Sequence, residues 1–119
     1  MANEISATVS LYASKSGVVA TAASTLNSTM AGDQMITNVQ IVGTGAELLV
    51  FGDVLTIGYL YLKNLDATNY VTVDITSDFS SWPQIILPGE SILLKPGDVN
   101  IYAKSSASTC NVLTVAIEL

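Results

Sequence analysis

The ionisable side chains of the sequence limit the chemistry that it could perform. The 119 residues include ten acids and four lysines, but no histidine and no arginine. Histidine is the usual general base, the usual activator of a nucleophile and the commonest zinc ligand, and arginine supplies the bidentate clamp for anions. The composition therefore excludes a Ser-His-Asp or Cys-His catalytic arrangement.

Carboxylates are the remaining candidates for catalysis or metal binding. Asp74 with Asp78, or Asp66 with Asp74, could act as a glycosidase-like pair if the fold held them at the separation such enzymes use. Asp66, Thr68 and Asn69 offer the hard oxygen ligands that calcium prefers, but they lack the fuller repeating pattern of a calcium loop. Acids in a small domain more often mark turns and solvated faces. We therefore predict a protein without enzymatic activity, metal, cofactor or small-molecule substrate.

Aromatic side chains are the stronger candidates for a binding surface. Trp82 lies in an irregular stretch, where it could stack on a sugar or plug the open end of a β-sandwich. Strand alternation places Tyr59, Tyr61 and Lys63 on one face, and tyrosine is enriched at protein interfaces. Packing within the chain or plain exposure to solvent is the alternative. The candidate interface comprises Tyr59, Tyr61, Lys63, Tyr70 and Trp82.

Residues 55–75 carry the clearest strand pattern, and they predict a central β-hairpin. Two runs of period-2 alternation flank a turn-rich loop, which pairing of Asn64 with Asn69 would close. The resulting register matches, on the core face, Leu62 with Val71, Leu60 with Val73 and Gly58 with Ile75. The opposite face would carry Tyr59, Tyr61, Lys63, Tyr70, Thr72 and Asp74.

The rest of the chain also predicts strands. Residues 17–30 are rich in β-branched side chains and lack a helical apolar stripe, which favours a strand or extended chain over a helix. Pro88-Gly89 and Pro96-Gly97 fit type II turns. Further strands are predicted at residues 5–14, 35–42, 46–51, 84–87, 91–95, 99–104 and 111–119. We therefore expect an all-β fold, an antiparallel two-sheet β-sandwich of jelly-roll type.

Length and composition bound the organisation and the partners. The chain has the length of a single domain, residues 1–119, in which residues 1–45 either fold within the sandwich or include an extended N-terminal arm. Half of the residues are hydrophobic and 12% are charged, against about 25% in a typical domain. Part of the surface is therefore expected to be covered by other subunits.

The acidic charge and the lack of recognisable targeting signals argue against several kinds of partner and location. With a net charge of −6 and scattered lysines, we expect no binding to nucleic acid or to an anionic membrane. The sequence begins without a secretory signal and contains no apolar run long enough to span a bilayer. Cys110 is the only cysteine and is predicted to be a buried, reduced thiol.

Several short motifs resemble those of small virion structural proteins from tailed bacteriophages. The resemblance covers roughly residues 46–119 and is weakly specific to a position in the particle. It rests on Phe51-Gly52-Asp53, Gly58-Tyr59, Lys63-Asn64-Leu65-Asp66-Ala67-Thr68-Asn69-Tyr70-Val71, Leu87-Pro88-Gly89-Glu90, Lys95-Pro96-Gly97-Asp98 and Ala116-Ile117-Glu118-Leu119.

The resemblance implies a non-enzymatic β-sandwich protein of the capsid decoration or cement type. Such a protein would form a homo-oligomer, with a trimer the leading expectation. It would bind the major capsid protein on the capsid exterior of the virion, after synthesis in the host cytoplasm. A tail, baseplate or head-fibre component is the first alternative, and a glycan-binding β-sandwich module is the second.

Overall fold

The computed structural model describes residues 4–54, 56–96 and 100–118. Every helix or strand found among them is a β-strand, so the predicted all-β fold is confirmed. The chain divides into two compact units, Met1–Gly32 and Asp33–Leu119. The strands are β1 (Ile5–Lys15), β2 (Val18–Ser28), β3 (Met35–Val42), β4 (Glu47–Leu48), β5 (Ile57–Asn64), β6 (Val71–Asp74), β7 (Gln84–Ile86), β8 (Ser91–Leu94), β9 (Tyr102–Ser105) and β10 (Cys110–Glu118).

The N-terminal unit is a long antiparallel hairpin of β1 and β2. Pairing is continuous from Ile5↔Ser28 to Lys15↔Val18, which confirms the extended conformation predicted for this segment. Ser16 and Gly17 close the hairpin with φ angles of 54° and 81°. Positive φ at both central positions is the signature of a type I′ turn, whose twist matches that of the paired strands.

The second unit is a sandwich of two four-stranded antiparallel sheets. The first sheet has the order β3-β10-β5-β8 and the second has the order β4-β9-β6-β7. Pairing is nested along the chain, because β3 pairs with β10, β4 with β9, β5 with β8 and β6 with β7. This nesting is the strand order of a jelly roll, and the predicted fold class is confirmed.

The hydrophobic core consists of the side chains that the two sheets turn toward each other. Leu60, Leu62, Val71 and Val73 belong to it, as the sequence predicts. Cys110 is 1% exposed, which confirms the predicted buried thiol. The full buried cluster is Val42, Leu49, Val54, Ile57, Leu60, Leu62, Val71, Val73, Ile86, Ile101, Ala103, Cys110, Val112 and Ala116.

The predicted central hairpin is wrong. Four of the residues assigned to its core face do lie in the core, but Ile75, which was assigned to the same face, is 48% exposed. Strand β5 pairs with β10 and β8 in the first sheet, whereas β6 pairs with β9 and β7 in the second. Residues 65–70 therefore cross from one sheet to the other instead of forming a hairpin loop. In a sandwich, strands of facing sheets show the same alternation as strands paired side by side. Alternation identifies the inward side chains, but it does not identify the partner of a strand.

The two Pro-Gly turns have different outcomes. Gly89 has a φ of 80° and the N–H of Glu90 donates to the carbonyl of Leu87 at 2.9 Å, as a type II turn at Pro88-Gly89 requires. The turn predicted at Pro96-Gly97 and the start of the strand predicted at residues 99–104 lie outside the described residues. Within the described part, this strand begins at Tyr102.

Asn64 joins the two sheets at one end of the sandwich. Its side chain is fully buried, and its Nδ2 donates to the carbonyls of Asn69 and Ile86 at 2.9 and 3.0 Å. Its Oδ1 accepts the N–H of Asp66 at 2.9 Å. Because Asn64 ends β5 in the first sheet and Ile86 ends β7 in the second, the amide holds both crossing segments in place.

Replacing Asn64 is expected to destabilise the sandwich. Asn64→Ala removes three hydrogen bonds at about 1 kcal/mol each and leaves buried carbonyls unpaired, so we expect a loss of about 3 kcal/mol in the free energy of unfolding. Urea unfolding, monitored by circular dichroism, measures this loss of stability. Asn111→Ala is the control, because the Asn111 side chain is exposed, and it should change stability by less than about 0.5 kcal/mol. Equal losses in the two variants would contradict the role of Asn64.

Candidate functional site

The structure does not bring the five predicted interface residues together. Tyr59, Tyr61 and Lys63 share the outer face of β5, in the first sheet. Tyr70 is 41% exposed and precedes β6 of the second sheet, and Trp82 is 79% exposed between β6 and β7. The expectation that Tyr70 shares a face with Tyr59, Tyr61 and Lys63 followed from the wrong hairpin pairing, whereas Trp82 was predicted in a separate irregular stretch.

The outer face of the first sheet is the larger candidate surface, because apolar side chains from all four strands meet there. Strand β10 is central, with Leu113, Val115 and Ile117 opposite residues of β3 on one side and of β5 on the other. Strand β3 adds the most exposed members, Met35 at 63% and Ile41 at 64%. We call this surface the apolar outer face; it comprises Met35, Val39, Ile41, Tyr59, Tyr61, Leu93, Leu113, Val115 and Ile117, with Thr37, Lys63, Ser91, Lys95 and Asn111 among them.

Sequence reasoning found three residues of this face and missed those on β3 and β10. A signal was present in β10, since apolar side chains occupy both alternating positions, with Val112 and Ala116 inward and Leu113 and Val115 outward. A strand with one face in water normally alternates apolar with polar residues. Apolar residues on both faces indicate that both faces are to be covered.

Tyr59 gives this face an unsatisfied polar group. The side chain is 6% exposed, and the ammonium of Lys95 lies 4.9 Å from its ring centroid. Its hydroxyl is buried and has no hydrogen-bond partner among the described residues. Buried polar groups nearly always have partners, so this hydroxyl is an exception on the outer side of the first sheet.

The charge of the apolar outer face is opposite to that of the whole chain. The face carries Lys63 and Lys95 and includes no acid among the residues named above, whereas the chain has a net charge of −6. An apolar surface with two ammonium groups fits a partner that is apolar at its centre and acidic at its rim.

The loop that carries Trp82 is organised by Asp74. Asp74 as a whole is 4% exposed, and its carboxylate accepts the N–H groups of Ile75 at 2.6 Å, Ser81 at 3.0 Å and Trp82 at 3.1 Å. Burial of the carboxylate acts to raise its pKa, but these backbone hydrogen bonds, with one from the hydroxyl of Thr76, outweigh burial and hold the pKa below its usual value. Asp74 therefore serves as a charged anchor for the loop.

A cleft of about 470 Å³ opens between the two sheets beside this loop. Trp82 stands at its rim and remains mostly exposed, so it does not plug the opening as one prediction had it. The polar lining is sparse, and the carboxylate of Asp74 is already occupied by backbone donors. The cleft is lined by Val73, Asp74, Ile75, Trp82, Gln84, Leu93, Leu94, Lys95, Pro96 and Ile101.

The acids considered for catalysis or metal binding have structural partners. Asp66 accepts the N–H groups of Asn69 at 2.6 Å and Thr68 at 2.9 Å, and these bonds lower its pKa. The hydroxyl of Ser80 donates to Asp78 at 2.6 Å and, with Thr76, lowers the pKa of that carboxyl. Among residues 4–54, 56–96 and 100–118, no three His, Cys, Asp or Glu side chains cluster as they would around a metal ion.

Comparisons with known proteins give no relative for this fold. No family model matches the chain, and no match was found among curated proteins or solved structures. The part of the chain that the structure describes contains no helix able to span a membrane.

The three aspartates predict how stability depends on pH. A carboxyl whose pKa is lower in the folded than in the unfolded state stabilises the fold above its unfolded pKa of about 3.9, and this contribution is lost as pH falls through the folded value. We therefore expect stability to fall below about pH 4. Between about pH 6 and 8 stability should change little, because the chain has no histidine.

Asp74→Asn isolates the contribution of the loop anchor. The variant should be less stable than the parent at pH 7 and should lose less stability on acidification, since one of the titrating groups is gone. Thermal unfolding at a series of pH values measures both effects. Asp33→Asn is the matched control, because Asp33 is exposed and, within the described part of the chain, accepts a hydrogen bond from its neighbour Gln34 alone. An unchanged acid dependence in Asp74→Asn would contradict the anchor role.

Proposed function

We propose that the protein is a non-enzymatic structural protein of a tailed-bacteriophage virion, a capsid decoration or cement protein that stabilises the head by binding the major capsid protein. The apolar outer face carries this proposal. It extends across all four strands of the first sheet, and monomeric soluble proteins rarely leave so broad an apolar surface uncovered. The sequence motifs that resemble phage virion proteins add support. Jelly rolls recur in viral capsid proteins, which agrees with the proposal at the level of fold alone.

The size of the apolar outer face fits a weak-to-moderate contact that repetition strengthens. Strands β3, β10, β5 and β8 have 8, 9, 8 and 4 residues and lie about 4.8 Å apart, which gives a face of about 470 Å², or roughly 950 Å² over both partners. Stable interfaces begin at about 1,200 Å². Many copies on a capsid lattice, each joining neighbouring subunits, would sum such contacts through multivalency.

The charge distribution agrees with a position on the capsid exterior. A net charge of −6 opposes contact with the packaged genome, whereas Lys63 and Lys95 give the apolar outer face a local positive charge. In this arrangement the face binds the capsid and the acidic remainder points to solvent.

A matched pair of charge substitutions tests the proposed binding face. Ile41→Glu places an acid on the apolar outer face, and Ile85→Glu makes the same change on the second sheet, where Ile85 has a similar exposure of 57% against 64%. Both sites are exposed, so both variants should fold. We expect Ile41→Glu to weaken co-sedimentation with capsids stripped of this protein by about 30-fold or more, because a charge buried in the contact without a partner opposes binding. Ile85→Glu should bind like the parent.

Equal binding by both variants would show that another surface meets the capsid. The cement role has its own measurement, because capsids that lack the protein should burst at a lower temperature than capsids to which it has been added back. Unchanged heat resistance would rule out cementing even if binding were retained.

A tail, baseplate or head-fibre component is the alternative with the same fold and surface. Copy number separates the two positions, since hundreds of copies per virion indicate a capsid lattice and a few to dozens indicate a tail or a vertex. Quantitative mass spectrometry of purified virions gives this number directly.

A glycan-binding module is the second alternative, favoured by the exposed Trp82 at the rim of the cleft. The mainly apolar lining of the cleft weighs against it, because sugar hydroxyls require several free hydrogen-bonding groups. Titration with a glycan panel should leave the fluorescence of the single tryptophan unchanged. A saturable quench that Trp82→Phe abolishes would favour the glycan function instead.

A further inference from the structure

The β1–β2 hairpin has one apolar face and one hydroxyl-rich face, and both are exposed. Ser6, Thr8, Ser10, Tyr12 and Ser14 lie on the hydroxyl-rich face, where the hydroxyls of Thr8 and Thr25 are 3.0 Å apart. The opposite side is what we call the hairpin's apolar face; it comprises Ala7, Val9, Leu11, Ala13, Val18, Ala20, Ala22 and Leu26, with Ser24 and Lys15 among them. Val9, Leu11, Val18 and Leu26 on this face are 55%, 72%, 72% and 52% exposed.

We propose that copies of this chain associate through the hairpin's apolar face, so that the hairpins form the centre of a homo-oligomer. This self-association would use a different surface from the apolar outer face. It does not require binding to a capsid, and it is compatible with each of the functions considered above.

The stability of the hairpin is the first reason. An isolated two-stranded sheet is marginally stable in water, and this one extends for 11 residues in each strand. Among the described residues each strand pairs only with the other, so each also presents an edge without a neighbouring strand there. A ribbon with an uncovered apolar face and two free edges gains order when the face is buried against another molecule.

The distribution of charge makes the hairpin the part of the chain where two copies can meet with the least repulsion. Residues 1–32 contain one acid, Glu4, and one lysine, Lys15, so nine acids and three lysines, and the whole net charge of −6, lie in residues 33–119. Copies of the sandwich repel one another, whereas the hairpins are neutral and can meet without that cost. Lys15 sits at the tip of the hairpin, where its ammonium can stay in water while the stem packs.

The area of the hairpin's apolar face bounds the contact between two copies. A ribbon of 11 residues per strand is about 37 Å long and about 10 Å wide, so one face covers about 370 Å². Two faces packed together bury at least roughly 740 Å², since planar area is a lower bound on accessible surface, against about 1,200 Å² for the smallest standard interfaces. Closed symmetry places the same face of each copy at the axis, and Ala13, Ala20 and Ala22 allow close approach near the tip.

Native mass spectrometry and light scattering of the full chain test the proposal with adjacent substitutions. Leu11→Glu adds a charge to the hairpin's apolar face, and Ser10→Glu adds the same charge one residue away on the opposite face. We expect a discrete oligomer for the parent and for Ser10→Glu. Leu11→Glu should be monomeric at concentrations at least about 100-fold higher, because a buried charge without a partner opposes association. A monomeric parent at micromolar concentrations, or an intact oligomer of Leu11→Glu, would overturn the proposal.

Cysteine cross-linking covers the case in which the Leu11→Glu hairpin does not form. Cys110 is buried, so a new cysteine is the accessible thiol. Under mild oxidation Ala13→Cys should give covalent dimers of the chain, since residues at a shared axis lie within disulfide reach, and Ser14→Cys should not. Equal cross-linking at the two positions, or none at either, would count against the assigned face. Capsid co-sedimentation measured on the same variants reports separately on the proposed function.

Discussion

A single buried amide fixes the crossing of the chain between the two sheets. Where a strand leaves one sheet and enters the other, its peptide groups lose their ladder partners, and they must find others because they are buried. Asn64 supplies two donors and an acceptor at the end where residues 65–70 and the Pro88-Gly89 turn both cross. No apolar side chain could fill this position, and a carboxylate would present acceptors where the carbonyls of Asn69 and Ile86 need donors.

The sequence predicted which side chains point inward, because burial in a strand follows a local, period-2 pattern. It did not predict the order of the strands. Leu60, Leu62, Val71 and Val73 were assigned to the core correctly, since alternation depends on the strand alone. The partner of β5 depends on β10, about fifty residues later in the chain, and no local signal specifies it. The wrong strand pairing also affected the candidate site. Tyr59 and Tyr61 were correctly placed on one outer face, but Tyr70 was wrongly placed with them.

The two apolar surfaces differ in chemistry, which allows them to serve different contacts at once. The hairpin's apolar face is built from small and medium aliphatic residues on a neutral ribbon, whereas the apolar outer face combines tyrosines and lysines with aliphatic side chains. Aliphatic faces of low charge suit permanent packing, and mixed aromatic and charged faces suit recognition of a separate protein. A protein with both could assemble first and bind afterwards.

The tight turn at Ser16-Gly17 has a consequence for how this protein can change in evolution. Because side chains alternate with a period of two, adding an equal, even number of residues to each strand lengthens the ribbon without moving any residue from one face to the other. An odd insertion in one strand exchanges its faces unless a bulge absorbs it. The hairpin can therefore change in length by an even number of residues per strand during evolution, while each face keeps its chemical character.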